Sequence, residues 1–144
     1  MFVLTACSHH VALQVRECTQ FKPSLAVAII HRFKATRMLD ISAGWGDRLS
    51  AAIAAGLEKY QAFDPNTSLK AGHTRLIEKF AKPAEQGRFV VTYTGFEYAE
   101  LAANDYDLVF TSPPFFDFEV YTDIPGQSVD TYKSLDTWLV RYVG

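Results

Sequence analysis

Cysteine is scarce: Cys7 and Cys18 are the only two in 144 residues. They are too few for a disulfide framework and too far apart for a CxxC site, which fits a reducing, cytoplasmic setting with both as plain buried thiols. Cys7, His9, His10 and Cys18 lack a second matched pair at metal-site spacing, so no metal is expected. Leu4-Thr5-Ala6-Cys7 has the outline of a lipoprotein cleavage box, but the apolar stretch before it is short and no Lys or Arg precedes it. Long apolar runs are lacking too: none approaches the ~20 residues that span a bilayer, because charges interrupt every candidate stretch. The chain is therefore not expected to enter a membrane.

Strong net charge is also missing, at −2, and with it the basic footprint of a general nucleic-acid binder. The balance conceals an asymmetry. Residues 1–96 hold twelve basic against seven acidic side chains, whereas residues 97–144 hold two against nine. Phosphate contacts would have to come from the first two thirds, for example Arg16, Lys22, Arg32, Lys34 and Arg37, although such a cluster is more often solvated surface. Internal repeats, low-complexity tracts and linkers are absent. What remains is the composition of one globular domain, 49% hydrophobic and 21% charged, with eleven Phe to fill a core.

From Pro23 onward helical and extended signals alternate. Pro23-Ser24 opens a helix whose apolar residues Leu25, Val27, Ala28, Ile29 and Phe33 recur at helical spacing. Arg37 to Ile41 reads as a buried strand running into the Gly44-Trp45-Gly46 turn. Arg48 to Ala55 reads as a tightly packed helix stopped by Gly56, and Tyr60 to Phe63 as the next strand, closed by Asp64-Pro65-Asn66. Thr67 to Lys82 forms a third helix capped by Thr67 or Ser68, and Arg88 to Thr94 a third strand. A short helix from Glu97 to Ala103, a fourth strand from Asp107 to Thr111 and a last helix from Val129 to Val143 follow. Phe2 to Ala6 and Val11 to Val15 would suit a small hairpin. The expected fold class is α/β: right-handed crossovers build a parallel sheet with helices on both faces.

Open parallel sheets bind ligands outside the carboxyl ends of their strands, and the unusual residues collect there. Asp40 to Asp47 follows the first strand, Asp64-Pro65-Asn66 the second, and Ser112-Pro113-Pro114-Phe115 the fourth. Gly44 and Gly46 allow a sharp turn and a close approach of backbone to ligand. Asp64, twenty residues beyond Gly44, is placed to accept from the paired hydroxyls of a ribose. A dinucleotide fingerprint would continue to a third glycine, but Asp47, Arg48 and Leu49 follow Gly46, and an aspartate there repels a pyrophosphate. S-adenosylmethionine carries no phosphate and an ammonium that welcomes carboxylates. Each segment has a plainer alternative: Ser-Pro-Pro before aromatics is usually a strand-ending turn, Asp64-Pro65-Asn66 a turn, Asp40 a helix-facing polar residue, and Trp45 a cover for the helix. Their joint placement at one sheet edge favours the functional reading.

The chain thus resembles the class I S-adenosylmethionine-dependent methyltransferases, and in particular the DNA amino-methyltransferases that modify adenine N6 or cytosine N4. Asp40-x-x-x-Gly44-x-Gly46 is similar to their cofactor loop, Asp64 to their ribose-binding acid, and Ser112-Pro113-Pro114-Phe115 to their catalytic tetrapeptide. Phe21-x-Pro23 is similar to the segment that closes over the methionine end of the cofactor. The resemblance covers residues 20 to 121. It implies a Rossmann-like fold with strand order 3-2-1-4, S-adenosyl-L-methionine as cofactor, and a cofactor site formed by Phe21, Pro23, Asp40, Ser42, Gly44, Trp45, Gly46, Asp64, Pro65, Asn66 and Phe96. Phe96 is a loose candidate to cover the adenine, with Glu97 accepting from its amine.

The tetrapeptide has its own chemical logic. The lone pair of a base amino group is delocalised into the ring, so the nitrogen is a poor nucleophile. Acceptors for its two N–H groups, the Ser112 hydroxyl and the Pro113 carbonyl, favour pyramidal geometry and free that pair. Two prolines fix φ, and Phe115 stacks on the extruded base. Serine in place of the commoner Asp is a weaker acceptor and, among relatives, leans toward cytosine N4. The expected activity is methyl transfer to a nucleic-acid amino group, DNA first. RNA or protein-amide methylation, a nicotinamide-dinucleotide oxidoreductase and a non-catalytic cofactor-binding fragment are the alternatives. Residues 1–20 are expected to be an extension and 21–144 a cofactor domain that ends early, since 29 residues follow Phe115 where the family fold continues with three more strands. A fourth strand left at the edge, apolar at Leu108, Val109 and Phe110, would then invite cover by the terminal helix, the amino-terminal segment or a second copy of the chain.

Overall fold

The computed structural model describes residues 20–102, 105–114, 116 and 125–143. Cys7, His9, His10, Cys18, the expected amino-terminal hairpin and Phe115 lie outside the described residues. The elements are α1 (Pro23–Phe33), β1 (Arg37–Asp40), α2 (Asp47–Ala55), β2 (Lys59–Phe63), α3 (Lys70–Phe80), β3 (Phe89–Thr92), β4 (Leu108–Val109), α4 (Ser128–Thr131) and α5 (Leu135–Trp138). Every pairing is parallel and the order is β3-β2-β1-β4.

Register sorts the strand residues by face. Met38 stands beside Tyr60 and Leu108, and Tyr60 beside Phe89, so these four share one face with Ala62, Val91 and Phe110. That face meets Ala26 and Ile30 of α1 and Leu49, Ala51 and Ala52 of α2 in a single core. Small alanines on α2 let the helix lie close to the sheet, and truncating fully buried Leu49 would cost about 2–5 kcal/mol. Right-handed crossovers from β1 to β2 to β3 place α2 and α3 on the same side, and α1 packs beside α2 in that layer. On the other face Leu39 is buried, while Val90 and Val109 are each about half exposed.

Local chemistry sets the element ends. Gly56 takes a left-handed φ of 68° and closes α2, whereas Lys34, at φ 52°, closes α1 without a glycine. The third helix begins later than its periodicity suggests: Asn66 caps by accepting from the Ser68 amide, Thr67–Leu69 form a 3₁₀ turn, and α3 proper starts at Lys70. Glu97 to Ala103 is not a helix over the described residues; a single 3₁₀ turn, Phe96–Tyr98, stands there. So short a segment nucleates poorly, and Phe96 is instead drawn edge-on to Phe63, centroids 5.5 Å apart. The carboxyl-terminal helix is also divided, because Ser134 accepts from the Thr137 amide and restarts the chain as α5. The edge strand is shorter than expected, yet pinned: the Asp107 carboxylate accepts from the Thr36 and Arg37 amides and the Thr36 hydroxyl at 2.8–3.0 Å.

Candidate functional site

Asp40 ends β1 on the core face and is fully buried. Its Oδ2 accepts from Arg48 Nε at 2.8 Å and from Tyr60 Oη at 3.0 Å, and its Oδ1 from the Ser42 amide at 3.1 Å. Asp40 therefore shapes the loop from beneath. Arg48, also buried, spends another N–H on the Ser42 carbonyl. Burial alone would lower the Arg48 pKa, but the carboxylate beside it wins and holds it above its ordinary value. Tyr60 is pushed well above the usual phenol range, first by burial and then by Asp40. The cation in the first turn of α2, beneath the glycine loop, is thus neutralised where it stands.

Above this pair the glycine loop turns with left-handed φ of 56° at Gly44 and 94° at Gly46. A side chain at Gly46 is disfavoured on a second ground: a Cβ there would come within 2.7 Å of Leu76 Cδ1 and 3.1 Å of His73 Cδ2. Gly44 donates its N–H to Asp64 Oδ2 at 2.7 Å, and Asn66 donates its own to Asp64 Oδ1 at 2.9 Å. The acid at the end of β2 is nearly buried, and burial raises its pKa despite those two bonds. Each carboxylate oxygen offers about two acceptor directions, so both retain capacity for a ligand hydroxyl.

His73 escaped the sequence reading. It is 2% exposed on α3, with Nε2 2.9 Å from the Gly44 carbonyl and Nδ1 2.9 Å from Tyr93 Oη. A carbonyl only accepts, so Nε2 carries the proton and, in the neutral ring, Nδ1 accepts from Tyr93. The signal was weak, since one histidine in an amphipathic helix resembles any other until tertiary structure brings it under the loop.

The fourth strand delivers Thr111 to Pro114, half-buried, beside the glycine loop. Ser42 joins the two: its Oγ lies 2.6 Å from Thr111 Oγ1 and donates to the Ser112 carbonyl at 2.8 Å, across seventy residues of chain. Phe21, ahead of α1, packs edge-on against Phe110 at 5.7 Å and under the Arg48 guanidinium at 5.7 Å. Its amide also bonds the Asp47 carboxylate, whose pKa is raised, chiefly by burial. Pro23 serves as the first residue of α1. Trp45 stands 44% exposed in the loop. Gly126 lies against Pro65, where a Cβ on the glycine would stand 3.8 Å from Pro65 Cβ, so the carboxyl-terminal segment borders the Asp64 turn. It also reaches the residue after the tetrapeptide. Phe116, left-handed at φ 42°, rests 6.0 Å from the buried Trp138 ring, whose indole N–H donates to Ser128 Oγ at 3.0 Å.

The structure thus gathers Ser42, Gly44, Gly46, Asp64 and Ser112 at one sheet edge, with Asp40 below them. No protein-family model and no curated protein matches the chain. Solved structures do. The methyltransferase domain of bacterial CtHen1-CN superposes with a TM-score of 0.55 at 18% identity, over 67% of this chain and 51% of that one. The fold is that of the methyltransferases. The glycopeptide N-methyltransferase MtfA matches with a TM-score of 0.50 at 19% identity, over 63% of this chain and 42% of its own. A complex of MtfA with sinefungin matches equally well, at 0.50 and 19%, over 67% and 38%. At such identities the likeness is one of fold, and this chain spans 38–51% of the length of those structures. Among the described residues no helix is long and apolar enough to cross a membrane.

Proposed function

We propose that this chain binds S-adenosylmethionine and belongs to an enzyme that methylates an exocyclic amino group of a nucleic-acid base, with DNA as the first candidate and cytosine N4 or adenine N6 as the target. One observation carries the reading: Ser42 bonds the glycine loop to the Ser-Pro-Pro turn, so the two segments that such a reaction needs stand at one site. MtfA binds sinefungin, an analogue of S-adenosylmethionine, within the same fold, which supports the choice of cofactor.

The donor set fits that cofactor. Asp64 retains acceptor capacity for ribose hydroxyls, and Arg48, the cation buried beneath the loop, is already paired with Asp40. Asp47, the first residue of α2, repels a pyrophosphate at the start of that helix, and a carboxylate there suits an ammonium. Phe21, held by Phe110 and Arg48, borders the same loop, within which Trp45 is partly exposed. When bound, S-adenosylmethionine supplies a sulfonium methyl group that an amine lone pair takes in-line, the electron pair of the broken C–S bond staying on sulfur.

The residues of the chain do the rest. The Ser112 hydroxyl and the Pro113 carbonyl accept from the two N–H groups of the target amine and turn its lone pair toward the methyl carbon. Pro113 and Pro114 hold the turn, and Phe115 would stack on the base. Once the N–C bond has formed, the cationic nitrogen releases one proton to solvent. Calorimetric titration with S-adenosylmethionine tests the binding step, and a folded chain that binds none would sink the proposal. Transfer of label from methyl-tritiated cofactor to DNA, RNA and protein in parallel distinguishes the substrate.

A further inference from the structure

Ser42 lies in the glycine loop, yet its polar atoms point elsewhere. Its amide donates to Asp40 Oδ1 and its carbonyl accepts from Arg48, both members of the buried ion pair. Its hydroxyl has one proton, and that proton goes to the Ser112 carbonyl at 2.8 Å. Thr111 Oγ1, 2.6 Å away, must therefore be a donor to Ser42 Oγ. The result is a directed chain, Thr111 to Ser42 to Ser112, whose middle member is tied through its backbone to the buried Asp40–Arg48 pair.

We infer that Ser42 is a positioning residue of the Ser-Pro-Pro turn and not a ligand of the cofactor. Resting on the methyltransferase reading above, the inference assigns Ser42 to the acceptor side of the reaction. Two prolines follow Ser112 and contribute no N–H of their own, so the turn has few backbone donors with which to tie itself down. Before it, the Phe110 amide still bonds the Leu39 carbonyl at 2.9 Å; after it, Phe116 is left-handed. Ser42 supplies the missing fixture. It holds the Ser112 carbonyl, and with it the peptide plane leading to Pro113, in the orientation that presents the Ser112 hydroxyl and Pro113 carbonyl together. Threonine retains the hydroxyl and would keep this function, whereas alanine removes it without touching the Asp40 and Arg48 bonds to the backbone.

The test compares the full-length wild type with Ser42→Ala and Ser42→Thr. In ¹⁵N relaxation, Thr111 and Ser112 should be near the rigid order parameter of ~0.85 in wild type and Ser42→Thr, and fall toward ~0.6 in Ser42→Ala. Phe110, bonded to Leu39, should not change. Sinefungin affinity by calorimetry should stay within about twofold for all three, while methyl transfer to DNA shows a kcat about tenfold lower for Ser42→Ala at unchanged cofactor KM. Unaltered mobility of Thr111 and Ser112 in Ser42→Ala overturns the inference. So does a tenfold loss of sinefungin affinity in that variant, which would make Ser42 a cofactor ligand. Wild type that fails to bind sinefungin overturns the methyltransferase reading instead, and the relaxation comparison still decides whether Ser42 holds the turn.

Discussion

Gly44 donates its backbone N–H to Asp64 Oδ2 at 2.7 Å, tying the turn after β1 to the acid at the end of β2. The same glycine receives His73 on its carbonyl, so both faces of one peptide neighbourhood are held by side chains from other elements. A glycine loop is commonly described by its freedom; here it is fixed from two sides, and Asp64 is both a fixture and the candidate ligand group.

Asp64→Ala should therefore weaken sinefungin binding by about 1.5–3 kcal/mol, roughly ten- to a hundredfold, as measured by calorimetry. Affinity should also depend on pH in a defined direction. Burial raises the Asp64 pKa above its ordinary 3.8, so the carboxylate is protonated earlier on acidification than an exposed one. Binding that uses the ionised form is full above the raised pKa and declines as pH falls through it, whereas Asp64→Asn should lack that dependence. The folded protein shows the opposite sign, because its native state binds the proton more tightly: ionising Asp64 costs stability as pH rises from 3.8 through the raised value.

The Asp40–Arg48 pair is buried on both sides, with side-chain exposures of 0% and 5%. Arg48→Met leaves the Asp40 carboxylate uncompensated and should destabilise the protein by about 3–5 kcal/mol in urea unfolding. Adding Asp40→Asn to that variant removes the stranded charge and should recover part of the loss. If both variants unfold at the same urea concentration, the stranded charge is not the cause. Tyr60→Phe, which deletes one donor to Asp40, should cost about 1.5–3 kcal/mol.

Gly46→Ala faces two penalties, a left-handed φ of 94° and a methyl group 2.7 Å from Leu76 Cδ1. The expected cost is about 1–3 kcal/mol of stability, with a displaced loop. A second change, Leu76→Ala, would relieve the contact but not the backbone strain. The double variant should therefore bind sinefungin better than Gly46→Ala while remaining weaker than Leu76→Ala alone, in parallel calorimetric titrations.

Asp107 anchors the edge strand. Burial is the largest single influence and pushes its pKa up, but the Thr36 and Arg37 amides and the Thr36 hydroxyl together outweigh it and leave it below 3.8. Its contribution to stability is complete above 3.8 and is lost as pH falls through the lowered value. Asp107→Asn should be less stable than wild type at neutral pH, and the gap should narrow on acidification below 3.8. A gap that stays constant down to acid unfolding, followed by circular dichroism, would show that the carboxylate charge plays no part.

Much of the fold was legible from local chemistry. Gly56 marked the end of α2 because only a residue without Cβ enters the left-handed region freely, and Pro23 marked the first turn of α1 because its missing N–H is not needed there. Alternation of helix and strand implied parallel pairing, and the observed order agrees with the 3-2-1-4 that the family resemblance implied. Short segments fared worse. Glu97 to Ala103 carries helical residue types, but one turn's worth of hydrogen bonds does not offset nucleation, and packing of Phe96 on Phe63 decided its shape.

At the site, the sequence by itself determined which residue types stand after which strand: glycines 44 and 46, Asp64, and Ser112 with its two prolines. That follows from covalent order, since each of these residues lies in the loop that its strand runs into. Only the tertiary structure decided what each side chain faces. Asp40 turns into the core because its register partner Ala62 lies on the helix-covered face, where a carboxylate survives only by pairing with Arg48 and Tyr60. Ser42 reaches Ser112 because β1 and β4 are neighbours in the sheet, although seventy residues separate them along the chain. His73 comes under Gly44 because α3 packs against α2. Such contacts join residues far apart in sequence, and no local pattern encodes them.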